Sequence, residues 1–211
     1  RRFILGEWVA AEGRVYDFWD ESMAGQLPEG PGQHWCISCD YGTVNPASFG
    51  LWGEWEGRWY RVAEYYYDAR REGHQKTDEE YAEALERLAG GREIELVVVD
   101  PSAASFIEVL RRKGWWVRKA ENDVLSGIRL TSDLLKAGKI VICEGCADCL
   151  REMESYEWVN DGSGHDVPRK ENDHAMDEMR YFAMSVAAGH GTMPTACAVT
   201  RTTNWRGAAE R

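Results

Sequence analysis

Apolar and small residues run almost unbroken into one carboxylate at residues 34–42, HWCISCDYG. Residues 35–39 read as a buried strand, with Asp40 at its C-terminal end and Gly42 in the turn that follows. Residues 94–100, IELVVVD, repeat the pattern: a mostly β-branched run, apolar on both faces, ends in Asp100 and is stopped by Pro101. Between them, residues 47–54 and 58–67 read as an aromatic-rich antiparallel hairpin around a turn at 55–57. Tyr65, Tyr66 and Tyr67 fit strand packing or an exposed stacking surface. Residues 68–76 read as a polar loop.

Helical spacing takes over at 77–88. Tyr81, Leu85 and Leu88 give the buried stripe, Thr77 and Glu80 a capping box, and Gly90-Gly91 the stop. A helix over 102–113 and a strand over 115–119 complete a β-α-β unit with the strand before Asp100. Asn122 is expected to cap a helix to 137, with Val124, Ile128, Leu134 and Leu135 inward. An extended piece at 139–143 and a helix at 147–156 follow. Residues 157–172 then read as a protruding hairpin with a polar, glycine-bearing tip. The last helix spans 173–188, with Met176, Met179, Phe182, Ala183 and Val186 as its packing face. This order predicts an α/β fold with a mixed central sheet flanked by helices.

The 211 residues suffice for one domain with a sizeable core. We expect a connector packing on the domain at 1–32, the domain itself at 33–188 and a C-terminal tail at 189–211. The start, Arg1-Arg2-Phe3, carries neither Met nor a signal pattern, so the chain reads as a fragment of something longer. No apolar run approaches a membrane span, so no membrane partner is expected. A net charge of −11 argues against a generic basic nucleic-acid coat, and any DNA contact must use local basic clusters. The six Cys include CxxC at 36–39 and CxxCxxC at 143–149. Those spacings resemble zinc ligation, but Cys36 and Cys39 fall three apart on a strand and so face opposite sides. We read all six as reduced thiols.

Three acids stand apart: Asp40 and Asp100 at strand ends, and Asp177 in the first turns of the last helix. Asp173 and Asp177 lie four apart, and His174 and Asp177 three apart, so they share a helix face. Hard divalent cations take oxygen ligands, and a pair of them can activate water and stabilise the leaving oxygen of a phosphodiester. Turn-starting and helix-dipole roles account for single Asp residues equally well. No GxSxG, Walker A or HExxH pattern offers competing chemistry.

Taken in order, DYG at Asp40, an aromatic hairpin, DPS at Asp100, a hairpin flap and DHAMDEMRY at 173–181 resemble the C-terminal nuclease domain of tailed-phage terminase large subunits. The opening FILGEWVAAEG resembles the segment that follows the ATPase domain in such proteins. The resemblance covers residues 3–188. It implies a ribonuclease H-like fold and a metal-dependent endonuclease that cleaves concatemeric double-stranded viral DNA during genome packaging. By position, Asp40, Asp100 and Asp177 match the family's catalytic, metal-binding carboxylates. His174 matches a histidine near the metals, and Asp173 is a further candidate ligand or a helix cap. The cofactor implied is Mg²⁺ or Mn²⁺, as two ions. The implied partners are double-stranded DNA and, in the full-length protein, an ATPase domain, the portal and the small terminase subunit. The implied location is the cytoplasm of the infected bacterial host rather than the mature virion. Arg111, Arg112, Lys113, Arg118, Lys119, Arg169 and Lys170 are candidate phosphate contacts or plain surface charges. The competing readings are a junction resolvase or transposase-like nuclease of the same fold, and a non-catalytic motor docking domain. A sugar-kinase or actin-like ATPase would need a second glycine-rich phosphate loop, which we do not find.

Overall fold

The computed structural model describes residues 13–162 and 165–189, with the backbone of 2–4 and 7–9. Cys197 and the tail expected over 189–211 fall, beyond Gly189, outside the described residues. In chain order the strands are β1 (Arg2–Ile4), β2 (Glu7–Val9), β3 (Gly13–Arg14), β4 (Gln33–Asp40), β5 (Ala47–Trp55), β6 (Arg58–Tyr67), β7 (Ile94–Val99), β8 (Val117–Lys119), β9 (Ile140–Ile142), β10 (Glu157–Asn160) and β11 (Asp166–Pro168). The helices are α1 (Ala69–Glu72), α2 (Asp78–Ala89), α3 (Ala104–Arg112), α4 (Val124–Lys136), α5 (Ala147–Ser155) and α6 (His174–Ser185). No helix among the described residues is long and apolar enough to cross a membrane.

Six strands form the central sheet in the order β8-β7-β4-β5-β6-β9. β4, β7 and β8 are parallel neighbours, β5 runs antiparallel to β4 and β6, and β9 lies parallel to β6. The sheet is therefore mixed, with helices on both faces, as the element order requires. Side chains alternate across it. Ile37 and Cys39 of β4 join the core under α2 and α3, together with Leu85, Phe106 and Leu110. Cys36 turns to the other core, under α4, α5 and α6, together with Trp52, Met153 and Phe182. By the same alternation Ser38 and Asp40 face α6. The Trp52 and Phe182 rings stack there with centroids 3.8 Å apart.

Several local expectations shift. Asp123, not Asn122, caps α4: its carboxylate accepts from the Ser126 N–H. The segment 68–76 is not all loop, because Asp68 caps the short α1. From residue 13 the expected connector packs on the domain. Tyr16 and Trp19 are core residues, and Gly25 bridges to Cys143. β3 pairs with β10, so the hairpin of β10 and β11 belongs to a three-stranded sheet.

Candidate active site

The strand register brings Asp40 and Asp100 together. Cys39 pairs with Val99, and the Asp100 N–H donates to the Cys39 carbonyl at 3.1 Å. The two carboxylates thus leave neighbouring parallel strands at the same edge, where ligand chemistry gathers in open α/β sheets. Gly42 permits the turn after Asp40: a Cβ there would lie 2.4 Å from the Asn45 carbonyl oxygen. The neighbouring Tyr41 is not part of this edge, since it stacks on Phe106 and donates to Asp78.

Helix α6 closes the site. Its apolar residues are buried nearly all round, so its charged residues need partners. Glu178 is fully buried and receives Arg61 from β6, with Nε to Oε2 at 2.9 Å. Trp52 Nε1 donates to Glu178 Oε1 at 3.0 Å, and the Ser38 hydroxyl donates to the same oxygen. Arg61 also pairs with Glu64 at 2.6 Å, and Glu64 accepts the Asp148 and Cys149 N–H groups at the start of α5. A second lock lies at the start of α6, where the Ala175 N–H donates to Glu152 Oε2 at 2.6 Å and Tyr66 holds Oε1. These contacts fix α6 against β4, two residues from Asp40.

With α6 so placed, each of the three predicted carboxylates meets a donor from this one helix. His174 Nδ1 lies 2.9 Å from Asp40 Oδ2. Arg180 donates to Asp177 Oδ1 at 2.8 Å, and the Tyr181 hydroxyl donates to Asp100 Oδ2 at 3.2 Å. Burial raises the Asp40 carboxyl to about 6; His174 pulls it down, while Asp177 and Asp100 push it up. Burial opposes the charge on His174, but its hydrogen bond to Asp40 together with the charges of Asp40, Asp173 and Glu152 leaves its pKa raised. Burial also raises Asp173, and Asp177 adds to the effect. Asp173 does not cap α6 with its side chain. It instead pairs with Lys170, whose ammonium stands 3.3 Å from Asp173 and 3.2 Å from Asp177.

The donor chemistry fits a hard divalent cation. All four Asp side chains offer oxygen, their charges repel, and a lysine ammonium already rests on two of them. As now arranged, no three His, Cys, Asp or Glu side chains among the described residues stand close enough to hold an ion. Closing them on one requires side-chain movement, beginning with Lys170. The cysteines among the described residues supply no alternative site. Cys36, Cys39, Cys143, Cys146 and Cys149 are free and buried, and burial pushes their thiols up, Cys143 to about 11. Cys146 spends its S–H on the Arg61 carbonyl.

The basic candidates separate. Lys170 is in the site. Lys119 pairs with Val99 in register, so it lies at the Asp100 edge, and Arg118 beside it donates to the Ser185 carbonyl at 2.8 Å. Arg169 pairs with Glu157 across the hairpin. Arg111, Arg112 and Lys113 do not join them. α3 starts just beyond Asp100 and its last turn leads back to the beginning of β8, so these three lie at the opposite edge. Arg112 faces Glu79 and Lys113 faces Glu86.

Sequence reasoning missed Arg61, Glu64, Glu152, Glu178, Arg180 and Tyr181. The signals were Arg61 and Glu64 within an aromatic strand, and Glu178 and Arg180 on a helix packed nearly all round, since a buried charge demands a partner.

No protein-family model matches the chain. A curated relative, the large terminase subunit of Escherichia phage T5, is 26% identical over 136 residues, covering 62% of this chain and 30% of that protein. The large terminase of a thermophilic bacteriophage, solved in complex with ADP, superposes with a TM-score of 0.83 at 46% identity, over 89% of this chain and 48% of that one. The P22 large terminase nuclease domain superposes with a TM-score of 0.66 at 20% identity, over 82% of this chain and 92% of its own. The large terminase nuclease from thermophilic phage G20c, solved with bound magnesium, gives 0.61 at 17%, over 82% and 97%. The chain spans about half of the ADP-bound large terminase and less than a third of the T5 protein, whereas it spans nearly all of the isolated nuclease domains. The chain is similar in sequence to about half of a phage large terminase, and its ribonuclease H-like fold is the one seen in large-terminase nuclease domains.

Proposed function

We propose that this chain is a divalent-metal-dependent endonuclease that cleaves concatemeric double-stranded DNA during phage genome packaging. What supports the reading is that Asp40 and Asp100 end neighbouring strands, with Asp177 on α6 near enough for its charge, like that of Asp100, to act on Asp40. Relatives support it: the G20c nuclease was solved with bound magnesium and also with bound cobalt.

Asp40, Asp100 and Asp177 would hold two Mg²⁺ or Mn²⁺ ions, with Asp173 as a further ligand. Bound there, such ions acidify a water and stabilise the leaving oxygen of a phosphodiester. The chain's own residues prepare the site. Asp40 must be ionised to bind a cation, and a protonated His174 beside it favours that state. When Asp40 is ionised, His174 donates from Nδ1 and fixes the orientation of the carboxylate. Arg180 does the same for Asp177. Lys170, released from the acids, is placed for a DNA phosphate, and Lys119 and Arg118 flank the same edge. An ATPase domain, the portal and the small terminase subunit are the partners expected in the full-length protein, in the cytoplasm of the infected host.

One observation favours a non-catalytic docking domain instead: the carboxylates are held by protein donors and form no ligating group as they stand. Plasmid cleavage with Mn²⁺, Mg²⁺ or EDTA, beside folded Asp40→Ala and Asp177→Ala proteins, separates the two. Metal-dependent nicking and linearisation lost in both variants is the expected result. No cleavage at high enzyme in either metal would favour docking.

A further inference from the structure

We propose that Tyr181 is a positioning residue for Asp100, selecting which face of that carboxylate is presented to an ion. The inference rests on the metal-dependent reading above and adds a residue to it.

Asp100 has two oxygens and each already has one donor. The Ser102 N–H holds Oδ1 at 2.7 Å, and the Tyr181 hydroxyl holds Oδ2 at 3.2 Å. The first is a local turn contact made by the segment that ends β7. The second crosses 81 positions of sequence and ties the Asp100 carboxylate to α6. A carboxylate held at one oxygen rotates about its last bond, whereas one held at both does not. Each oxygen keeps a second lone pair, so both donors are compatible with an ion.

Tyr181 is itself well placed to hold its position. It is 4% exposed, and the Arg180 guanidinium sits over its ring, 4.8 Å from the centroid. Its hydroxyl stays protonated and hence a donor, because burial raises its pKa, and the charges of Asp40, Asp177 and Asp100 raise it further. Arg180 serves Asp177 from the neighbouring position, three residues along the same helix. Ligand-orienting donors of this kind typically govern metal affinity by about 10- to 100-fold.

The test is Tyr181→Phe, which keeps the ring and removes only the hydroxyl. Mn²⁺ binding to EDTA-stripped protein would be followed by titration calorimetry, and metal-free thermal melting would run alongside. Cleavage would then be measured against Mn²⁺ concentration. The expected result is Mn²⁺ affinity about tenfold weaker, by the usual effect of losing such a donor. The Mn²⁺ needed for half-maximal cleavage should rise in parallel, and the rate at saturating Mn²⁺ should stay close to wild type. A Tyr181→Phe isotherm that matches wild type overturns the inference and leaves the metal reading intact. So does a variant that melts early yet binds Mn²⁺ normally, since the hydroxyl would then serve packing alone. Wild-type protein that binds no Mn²⁺ overturns the metal reading and this inference with it.

Discussion

His174 and Asp40 stand 134 positions apart in sequence, and their side chains meet at 2.9 Å. Their coupling sets how the metal-free fold responds to pH. Burial holds Asp40 at about 6, against 3.8 when unfolded, so the native chain keeps a proton that the unfolded chain has lost between those values. Stability then falls as pH rises through that window, by about 3 kcal/mol at ~1.4 kcal/mol per pKa unit. Raised Asp173 and Glu152 act in the same direction. His174 is also raised: its contribution is full below its ordinary 6.5 and is lost as pH passes its folded value. Urea unfolding in EDTA should therefore give a higher midpoint at pH 5 than at pH 7.5, and His174→Ala, by removing the group that pulls Asp40 down, should move the Asp40 part of the fall to higher pH. A flat profile would count against the pair.

Asp40→Asn tests the same strain from the other side. The change keeps shape and an acceptor for His174 but removes the buried charge that Asp177 and Asp100 oppose. In EDTA at pH 7.5 the variant should be more stable than wild type by about 1–3 kcal/mol, the linkage value being the ceiling. Cleavage should vanish. A ligand whose removal stabilises the empty fold is serving function at the expense of stability. Loss of both stability and cleavage would make Asp40 a structural residue.

Asp40 and Asp100 were legible in sequence because strand physics is local: a buried run must stop, and what stands at its end is exposed to the edge. Asp177 was legible through helical spacing and through the resemblance of DHAMDEMRY to its family. What the sequence did not reveal is where a helix leads. Arg111, Arg112 and Lys113 looked like a basic cluster near Asp100, yet α3 carries them to the far edge of the sheet. The ties between Arg61 and Glu178, or between Tyr181 and Asp100, join elements by tertiary packing that no local pattern encodes.

Asp177 and Glu178 are adjacent acids with opposite duties. Asp177 faces the site, whereas Glu178 is buried against Arg61. Glu178→Ala should cost about 3–5 kcal/mol in urea unfolding, because Arg61 would be left as an incompletely compensated buried charge. Asp177→Asn, which keeps an acceptor for the buried Arg180, should cost far less while abolishing cleavage. Gly50→Ala probes the same lock sterically, since its Cβ would meet Glu178 Oε1 at 2.4 Å, and should cost about 1–3 kcal/mol. Equal losses for Glu178→Ala and Asp177→Asn would contradict this division.

Lys170 occupies ground that a divalent ion needs. Its ammonium lies 3.2 Å from Asp177 and 3.3 Å from Asp173, and a bound cation would both repel it and compete for the same oxygens. Lys170→Met keeps much of the stem and removes the charge. Mn²⁺ affinity of the EDTA-stripped variant should rise by about 3- to 30-fold, the effect of a nearby unit charge partly screened by water. The gain should shrink as salt is added. Arg112→Met, which removes a charge paired with Glu79 rather than with the four Asp residues, should leave Mn²⁺ binding unchanged and so controls for net charge. If Lys170→Met bound Mn²⁺ more weakly, the lysine would be holding the two carboxylates in place for the ion. Lys170 would then belong with His174, Arg180 and Tyr181 among the donors that shape the site.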